Sequence, residues 1–292
     1  MTRIRYVVVT PVRNEAAYIE KTAASVMAQT IPPTRWIIVD DGSTDGTSEL
    51  VDSYGERASW ITVVHRPDRG YRAAGGGVVE SFNAGYWRGR GEHSDFIVKL
   101  DGDLSFAREY FERCFERFAL DEQLGIGGGT VCRLDRGRLQ IDAIGDPSFH
   151  VRGATKIYRR ACWERISPLI MAPGWDTIDE VKANLYGWPT RTFPDVELIQ
   201  HKPTGAADGR WRDSYKNGRG AYITGYHPLF MLAKCVKRAL DRPVLIQSLG
   251  LFAGFCSGYL HAIPQADAEV IRYLRKQQVR RLLLRSSLYG PQ

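Results

Sequence analysis

Two aspartates separated by one glycine, Asp101-Gly102-Asp103, directly follow a short apolar run, 95–100, that is typical of a buried strand. Two carboxylates this close at the end of a strand are unfavourable unless a positive group meets them. Mg²⁺ and Mn²⁺ prefer oxygen ligands, and such ions commonly carry a diphosphate. The triplet therefore indicates an enzyme that activates a phosphate leaving group, although Asp-Gly is also ordinary turn chemistry.

Strand-like and helix-like segments alternate along the first 120 residues. Dense apolar runs predict strands at residues 6–10, 36–39, 61–64 and 96–100. Helical spacing and capping residues predict helices that begin near residues 19, 47, 75 and 110. This alternation implies parallel strands joined by crossover helices, and so an α/β fold with a doubly wound, mostly parallel sheet.

Polar residues follow the predicted strands at what should be one edge of this sheet. They are Thr10 and Glu15 after the first strand, Asp40 and Asp41 after the second, and Asp101 and Asp103 after the fourth. Ligands bind at the carboxyl ends of such strands, so this convergence predicts a site. Asp40 or Asp41 can accept a hydrogen bond from a nucleobase N–H or a ribose hydroxyl, although Asp40-Asp41-Gly42 also suits a turn and helix cap.

Phosphate contacts have two candidates, Arg72 and the run Gly75-Gly76-Gly77. Arg72 can equally be a solvated charge. The glycine run lacks the Lys-Ser/Thr of a P-loop, and no G-x-G-x-x-G follows the first strand. The sequence therefore favours neither an ATPase nor a dinucleotide-binding protein.

The acidic cluster 175–180 offers a catalytic base, because Asp176 or Asp179 can accept the proton of an attacking hydroxyl. Acids also suit the first turn of a helix, and Asp179 fits that structural role better than Asp176. His201 ends an apolar strand-like run. It is either structural or completes a metal shell with the carboxylates of residues 101 and 103.

The formal net charge of +7 favours an anionic partner, which can be a nucleotide, a nucleic acid or a lipid surface. Five widely spaced cysteines without a C-x-x-C support neither a zinc cage nor a disulfide framework. With no signal-peptide pattern near the N-terminus, we expect a reducing cytoplasm.

The segment 243–266 contains no Asp, Glu, Lys or Arg and lies between basic stretches. A bilayer span needs roughly 20 apolar residues, but polar, glycine and proline residues interrupt this segment. We expect a buried helical hairpin or an interfacial helix, with peripheral attachment to an anionic membrane surface on the inner face of the plasma membrane. The alternative is a solvated basic face on a helical C-terminal region.

Three motifs carry a resemblance to a known family: Val9-Thr10-Pro11-Val12-Arg13-Asn14-Glu15, the run from Ile38 to Thr47 with Asp40-Asp41-Gly42-Ser43, and Lys99-Leu100-Asp101-Gly102-Asp103. In order and spacing they resemble the family 2 glycosyltransferases of the GT-A fold, over about residues 5–202. The resemblance implies inverting transfer of a sugar from a nucleoside-diphosphate sugar, with UDP favoured and GDP-mannose second. The acceptor would be a hydroxyl of a glycan or lipid-linked molecule in cell-surface polysaccharide synthesis.

The resemblance also implies roles for single residues. The nucleoside would be held by Thr10, Pro11, Glu15, Asp40 and Asp41, and Asp101 would lie near the ribose and diphosphate. Residues 152–154 resemble the family's glycine loop, so Gly153 would also contact the donor. Gly102 of the third motif and Arg72, which is a candidate from the residues alone, complete the expected donor contacts. Asp103 would bind Mn²⁺ or Mg²⁺, with Asp101 and His201 beside it. Asp176 matches the second acid of the family's Glu-Asp motif, and Trp175 stands here in place of the glutamate. Asp179 remains the competing candidate for the base.

The same reasoning divides the chain into a GT-A catalytic domain, 1–204, and a helical, basic and apolar C-terminal region, 205–292. The donor half of the catalytic domain is about 1–103, and the acceptor half is about 104–204. The stretch 205–219 is polar and glycine-rich, which predicts a surface loop at the boundary. After residue 125 we also predict strands at 125–131 and 191–199 and a helix at 158–166.

Three other functions are considered. A sugar-nucleotide nucleotidyltransferase would need a glycine-rich phosphate loop after the first strand, and residues 10–15 contain no glycine. A non-catalytic basic nucleic-acid-binding protein would explain the charge of +7 but not the clustered acids, so we expect no nucleic-acid partner. An inactive glycosyltransferase-like scaffold is the third.

Overall fold

The computed structural model describes residues 4–70, 76–135, 137–142, 145–202, 209–240 and 245–290. The first part alternates as predicted. Its elements are β1 (Tyr6–Val12), α1 (Ile19–Met27), β2 (Arg35–Asp40), α2 (Thr47–Arg57), β3 (Ile61–His65), α3 (Gly76–Arg88) and β4 (Phe96–Leu100). The four strands lie in the order β3-β2-β1-β4, and all three pairings among them are parallel.

The second part extends this sheet. Its elements are β5 (Leu104–Phe106), α4 (Tyr110–Leu120), β6 (Ile126–Asp135), β7 (Arg138–Ile141), β8 (Thr155–Arg159), α5 (Arg160–Ile166), α6 (Trp175–Leu185) and β9 (Thr190–Gln200). The sheet runs β3-β2-β1-β4-β8-β6-β9-β5, and β7 pairs with β6. β8 joins β4 in antiparallel register, so the parallel first half of the sheet continues into a mixed second half.

Four helices follow: α7 (Gly209–Thr224), α8 (Pro228–Lys237), α9 (Ile246–His261) and α10 (Ala268–Leu282). They form the expected helical C-terminal region. No described helix is long and apolar enough to cross a membrane. The division of the chain at residue 204 stays a prediction.

The core has two layers because side chains alternate along the buried strands. In β1, Tyr6 and Val8 pack with α1 and α4 on one face, whereas Val7 and Val9 pack with α3 and α5 on the other. Helices therefore cover both faces, which leaves the strand ends as the place where polar side chains gather. The predicted α/β doubly wound fold is confirmed.

Two local predictions are wrong. The predicted helix 158–166 begins two residues too early. Residues 155–159 form β8, which pairs with β4, and α5 begins only at Arg160. The predicted loop 205–219 is helical from Gly209 onward, while its residues 205–208 lie outside the described part. Glycines disfavour an isolated helix, but Gly218 of α7 allows close packing against α9, because a Cβ there would overlap the backbone of Leu251.

Candidate functional site

Thr10 and Pro11 lie within β1, next to β2. The fully buried Thr10 hydroxyl accepts a hydrogen bond of 2.9 Å from Trp36 Nε1. Pro11 pairs in register with Val39. The structure thus gives the Thr10 side chain a partner inside the sheet, beside the end of β2.

Asp40 ends β2 and is nearly fully buried. Its carboxylate accepts hydrogen bonds from Ser43 N at 3.0 Å and Ser48 Oγ at 2.5 Å, and contacts His65 Nδ1 at 3.2 Å. Burial raises the pKa of Asp40, but the hydrogen bonds from Ser43 and Ser48 outweigh it and hold the pKa below its ordinary value. Asp40 is therefore a fixed acceptor that also shapes the turn leading into α2.

Asp41 follows at the same edge and faces three arginines, of which Arg13 is the most distant, with its Nη1 3.9 Å from Asp41 Oδ2. Arg66 Nη1 donates to Asp41 Oδ1 at 3.0 Å, and Arg69 Nη2 donates to both carboxylate oxygens. Both arginines also bind Glu80 of α3. The predicted nucleoside end of the site thus contains two cations that the sequence patterns did not reveal. Arg72, predicted nearby, lies outside the described residues.

Asp101 follows β4 and is bound by the lysine two residues before it. Lys99 is almost completely buried, and its Nζ donates to Asp101 Oδ1 and to the Gly153 carbonyl oxygen. The backbone N–H of Asp101 donates to the Ala154 carbonyl at 2.9 Å. The predicted glycine loop and the predicted metal motif are therefore joined directly.

Asp103 is buried, and only one of its oxygens is engaged. Oδ2 accepts a hydrogen bond of 3.1 Å from Gln200 Nε2, while Oδ1 has no partner among the described residues. Burial, and then the charge of Asp101, raises the pKa of Asp103 to about 6. A buried carboxylate oxygen without a donor is costly, so the position is suited to a cation.

Glu15 shares this environment. Its Oε1 accepts a hydrogen bond of 2.7 Å from Lys202 Nζ, and its buried Oε2 has no partner among the described residues. Burial raises the pKa of Glu15 to about 7, although Lys202 opposes the rise. A Cβ on Gly102 would lie 2.7 Å from Val12 Cγ1 and 3.6 Å from Glu15 Cγ. Glycine at position 102 therefore lets the loop pack against β1 and Glu15.

His201 lies beside Asp103 through the backbone, because its N–H donates to the Asp103 carbonyl at 2.9 Å. Its ring contacts other groups: Nε2 lies 2.8 Å from Ser105 Oγ, and Nδ1 lies 3.4 Å from Lys21 Nζ. Burial, and then Lys21, lowers the pKa of His201. The structure thus brings His201 to the predicted site but directs its ring toward β5 and α1.

Asp176 occupies the first turn of α6 and is half-buried. A Cβ on Gly153 would lie 3.6 Å from Asp176 Cβ and 2.9 Å from the Trp175 ring. Since Gly153 also binds Lys99, Asp176 stands across the glycine loop from Asp101. The structure therefore brings the predicted base and the predicted metal motif to one locality.

Asp179 lies deeper in a buried polar network. Its Oδ1 accepts a hydrogen bond of 2.8 Å from Lys156 Nζ, and its Oδ2 accepts one of 2.7 Å from Tyr158 Oη. Lys156 also binds Glu180 Oε1 at 2.8 Å and the Asp176 carbonyl at 2.6 Å. Burial raises the pKa of Asp179 to about 7 despite Lys156. Both carboxylate oxygens of Asp179 are thus engaged in holding α6 to β8.

A family model described as Glycosyl transferase family 2 matches residues 7–160, more than half of the chain. The chain belongs to glycosyl transferase family 2. The matched segment contains the residues predicted to bind the donor, from Thr10 to Gly153, and ends before α6.

Relatives agree with this family. EpsJ of Bacillus subtilis (strain 168), named as an uncharacterized glycosyltransferase, is 31% identical over 121 residues, 41% of this chain and 32% of that protein. The succinoglycan biosynthesis protein ExoA of Rhizobium meliloti (strain 1021) is 28% identical over 117 residues, 40% of this chain and 33% of that protein. The matches thus span about a third of the length of these relatives.

Solved structures show the same fold. The mannosyltransferase PcManGT from Pyrobaculum calidifontis in complex with GDP-Man and Mn²⁺ has a TM-score of 0.57 at 19% identity, over 98% of this chain and 77% of that chain. S. aureus TarS 1–349 in complex with UDP has a TM-score of 0.55 at 17% identity, over 75% of this chain and 65% of that chain. At such low identity the likeness shows the fold alone, and it confirms the expected GT-A class.

Among the described residues, no group of three or more His, Cys, Asp or Glu side chains is placed to hold a metal ion. The observation that fits a divalent cation in this family 2 fold is narrower: the unpartnered Asp103 Oδ1 beside the carboxylate of Asp101. Two hard oxygen donors suit Mg²⁺ or Mn²⁺, which retain other oxygen ligands from water or phosphate.

Several residues of the site were not found from the sequence. They are Arg66, Arg69, Lys99, Lys156, Gln200 and Lys202. For Lys99 a signal existed, since a lysine inside a fully buried apolar strand needs a buried anion. The others meet partners from distant segments, and no local pattern gives those pairings.

Proposed function

We propose that this chain transfers a sugar from a nucleoside-diphosphate sugar to a hydroxyl of a glycan or lipid-linked acceptor, with inversion at the anomeric carbon. A UDP-sugar is the first choice of donor and GDP-mannose the second. The observation that carries the proposal is the buried, unpartnered Asp103 Oδ1 at the sheet edge that also holds Asp40, Asp41 and Asp101. Membership of family 2 supports transferase chemistry, and the name of ExoA supports polysaccharide synthesis.

The nucleoside would lie at the ends of β1 and β2, where Asp40 and Asp41 offer carboxylate oxygens. Asp41 is shared with Arg66 and Arg69, so the nucleoside end of the site is not purely acidic. Those guanidinium groups are placed to favour an anionic ligand close by. In this proposal Asp40 shapes the base pocket through its turn, and Asp41 orients the two arginines.

Asp101 and Asp103 would hold Mn²⁺ or Mg²⁺. When bound, the ion would stabilise the negative charge that grows on the departing nucleoside diphosphate. His201 is a less favoured candidate for a metal ligand in this proposal, because its ring already contacts Ser105 and Lys21. Lys99 keeps Asp101 fixed while the donor binds.

Asp176 is the proposed base, because Asp179 is buried with both oxygens engaged. The acceptor hydroxyl oxygen forms a bond to the anomeric carbon while the bond from that carbon to the diphosphate oxygen breaks. The hydroxyl proton passes to the Asp176 carboxylate. A single displacement from the opposite face inverts the anomeric configuration and needs no covalent intermediate on the enzyme.

The proposed location is the cytoplasm, at the inner face of the plasma membrane. Nucleotide-sugar donors and a membrane-proximal glycan or lipid-linked acceptor can meet there. The basic C-terminal region supports the membrane part of this proposal.

The deciding experiment is a panel of UDP- and GDP-sugars scored by Mn²⁺-dependent donor hydrolysis. We expect turnover with one donor class, and Asp103→Ala should abolish it while leaving the far-UV circular dichroism unchanged. No hydrolysis of any donor, together with thermal stabilisation by DNA or RNA rather than by UDP or GDP, would sink the proposal.

The base assignment is tested separately, with matched amide variants on the same helix. Asp176→Asn should retain nucleotide binding, measured by calorimetry, and lose transfer to an acceptor. Asp179→Asn should mainly reduce stability. If Asp179→Asn binds the donor, stays folded and loses transfer, while Asp176→Asn transfers normally, the assignment is wrong.

A further inference from the structure

The net positive charge of the chain comes from its C-terminal region. Residues 205–292 contain 14 Lys and Arg against 5 Asp and Glu, whereas residues 1–204 contain 26 against 28. The catalytic part is therefore close to neutral, and the C-terminal helices account for the whole positive excess. Such an asymmetry favours an anionic surface as the partner of these helices.

Helix α9 places its small residues inward. Gly250, Gly254 and Gly258 recur every fourth residue and are all buried. A Cβ on Gly254 would overlap the backbone of Tyr215, and one on Gly258 would overlap the ring of Tyr222. The two helices α7 and α9 are thus packed backbone against backbone through a glycine face.

Helix α9 buries Leu251 and Phe255 but also places large apolar residues on its outward face. The outward α9 stripe consists of the exposed side chains Leu249, Phe252, Cys256, Tyr259 and Leu260. Their spacing of three or four residues puts them on one face of the helix. No charged residue interrupts α9 between Ile246 and Leu260.

Helix α8 packs against α9 and repeats this arrangement. Met231 and Cys235 are buried against α9, where Ser248 Oγ donates to the Cys235 carbonyl at 2.7 Å. The outward α8 stripe consists of Leu229, Leu232 and Val236, all exposed, and the exposed Leu240 lies in the turn that follows the helix. Both helices therefore show apolar side chains away from their shared core.

Helices that pack closely through glycines and carry apolar residues on the outward face as well as the inward face have the distribution of helices that contact lipid. A helix that faces water buries its large apolar residues, because burial of apolar surface is the main stabilising term. A second copy of this chain would cover the apolar stripes but would bring a region of high positive charge against itself. An anionic bilayer satisfies both the stripes and the charge.

We propose that α8 and α9 form a lipid-docking surface, which lies in the headgroup and upper acyl region of an anionic bilayer with the outward stripes inserted. Because no described helix can span a membrane, the contact is with one leaflet. The inference rests on the proposed transfer to a membrane-proximal acceptor. It gives that transfer a fixed orientation of the catalytic sheet above the lipid.

The test uses the full chain and vesicles of phosphatidylcholine with 30% phosphatidylglycerol, with cosedimentation as the measurement. The variant Leu249→Ser/Leu260→Ser removes two α9 side chains that are 54% and 79% exposed. Its matched control, Leu134→Ser/Leu120→Ser, removes two leucines of the catalytic part that are 55% and 80% exposed. We expect the α9 variant to partition about tenfold or more weakly and the control to partition like the original chain.

A second measurement leaves Leu249 and Leu260 in place and attaches a dye to the cysteine of the α9 stripe. Cys256 is exposed on α9, whereas Cys114, Cys132, Cys162 and Cys235 are buried, so an environment-sensitive thiol dye labels Cys256 selectively. On addition of anionic vesicles its emission should shift to the blue and be quenched by doxyl-labelled lipid. Higher salt should weaken the partition several-fold, because the charge component is screened.

Four results would overturn the inference: no vesicle binding, equal loss in the α9 variant and its control, no preference for anionic over zwitterionic vesicles, or a Cys256 dye that stays in water. A dimer that the α9 variant dissociates, without vesicle binding, would identify a second copy as the occupant. Donor hydrolysis is assayed without vesicles. A chain that hydrolyses the donor but does not bind vesicles would therefore contradict only this inference and not the proposed function.

Discussion

Asp103→Asn should make the metal-free chain more stable while removing its response to a divalent cation. Asp103 is buried beside Asp101, with Oδ1 unpartnered and its pKa raised by burial to about 6. A rise from the ordinary value of 3.8 to about 6 corresponds to about 3 kcal/mol of cost for the charged form in the fold. An amide keeps the acceptor for Gln200 and removes the charge.

The net gain is smaller than this cost, since one amide N–H of the asparagine can lack an acceptor, at about 1–2 kcal/mol. We therefore expect a gain of about 1–2 kcal/mol in EDTA at pH 8, which is about 2–3 °C in Tm for a chain of this length. The sign depends on pH. Below pH 4 Asp103 is protonated in both states, so the gain disappears; it grows between pH 4 and 6 and is complete above pH 6.

The assay is thermal unfolding at pH 8 and pH 4.5, with EDTA or with Mn²⁺. Asp195→Asn is the control, because Arg113 and Arg117 bind that exposed carboxylate, and its removal should give no gain at either pH. Lower stability of Asp103→Asn at pH 8, or a full Mn²⁺ response in the variant, would refute the reasoning.

Three further changes test other parts of the structure. Lys156→Met should lower the free energy of unfolding, measured in urea, by about 3–5 kcal/mol, because it leaves Asp179 buried without its cation. This loss should be smaller at pH 5, where Asp179 takes up a proton. A loss that does not depend on pH would contradict this reasoning. Gly102→Ala should cost about 1–3 kcal/mol in thermal unfolding, since its Cβ would meet Val12 Cγ1 at 2.7 Å, and an unchanged Tm would mean that the loop is free to move. Gly254→Ala should speed amide hydrogen exchange in α7 and α9 by separating them, and equal exchange in both chains would argue against close helix packing.

The parallel first half of the fold was predictable because its strands are short, buried on both faces and dense in apolar residues. β4, for example, has the predicted bounds of residues 96–100. Two strands were not predicted. β5 has only three residues, and in β8 Lys156 interrupts the apolar run. A buried lysine resembles a surface residue in sequence, and only its partners 23 and 24 residues away show otherwise.

For the candidate site, the sequence predicts which residues lie near one another but not how their side chains are directed. A sheet edge gathers whatever follows its strands, so Asp40, Asp41 and Asp103 could be placed together from strand positions alone. The ring of His201 could not, since its orientation depends on Ser105 and Lys21. Sequence spacing gives which residues meet, and side-chain direction depends on partners that the fold supplies.

The two buried lysines explain how the proposed base is held relative to the proposed metal motif. Lys99 and Lys156 are paired in register across the antiparallel strands β4 and β8. Lys99 binds Asp101, Lys156 binds the carbonyl of Asp176, and both ammonium groups lie over the ring of Trp175, at 5.4 and 5.3 Å from its centre. The strand pair therefore ties the two acids together, through Lys99 to Asp101 after β4 and through Lys156 to the first turn of α6, where Asp176 lies. An acid at position 175 would compete with Asp101 and Asp179 for these cations, whereas an aromatic ring attracts both ammonium groups without neutralising either.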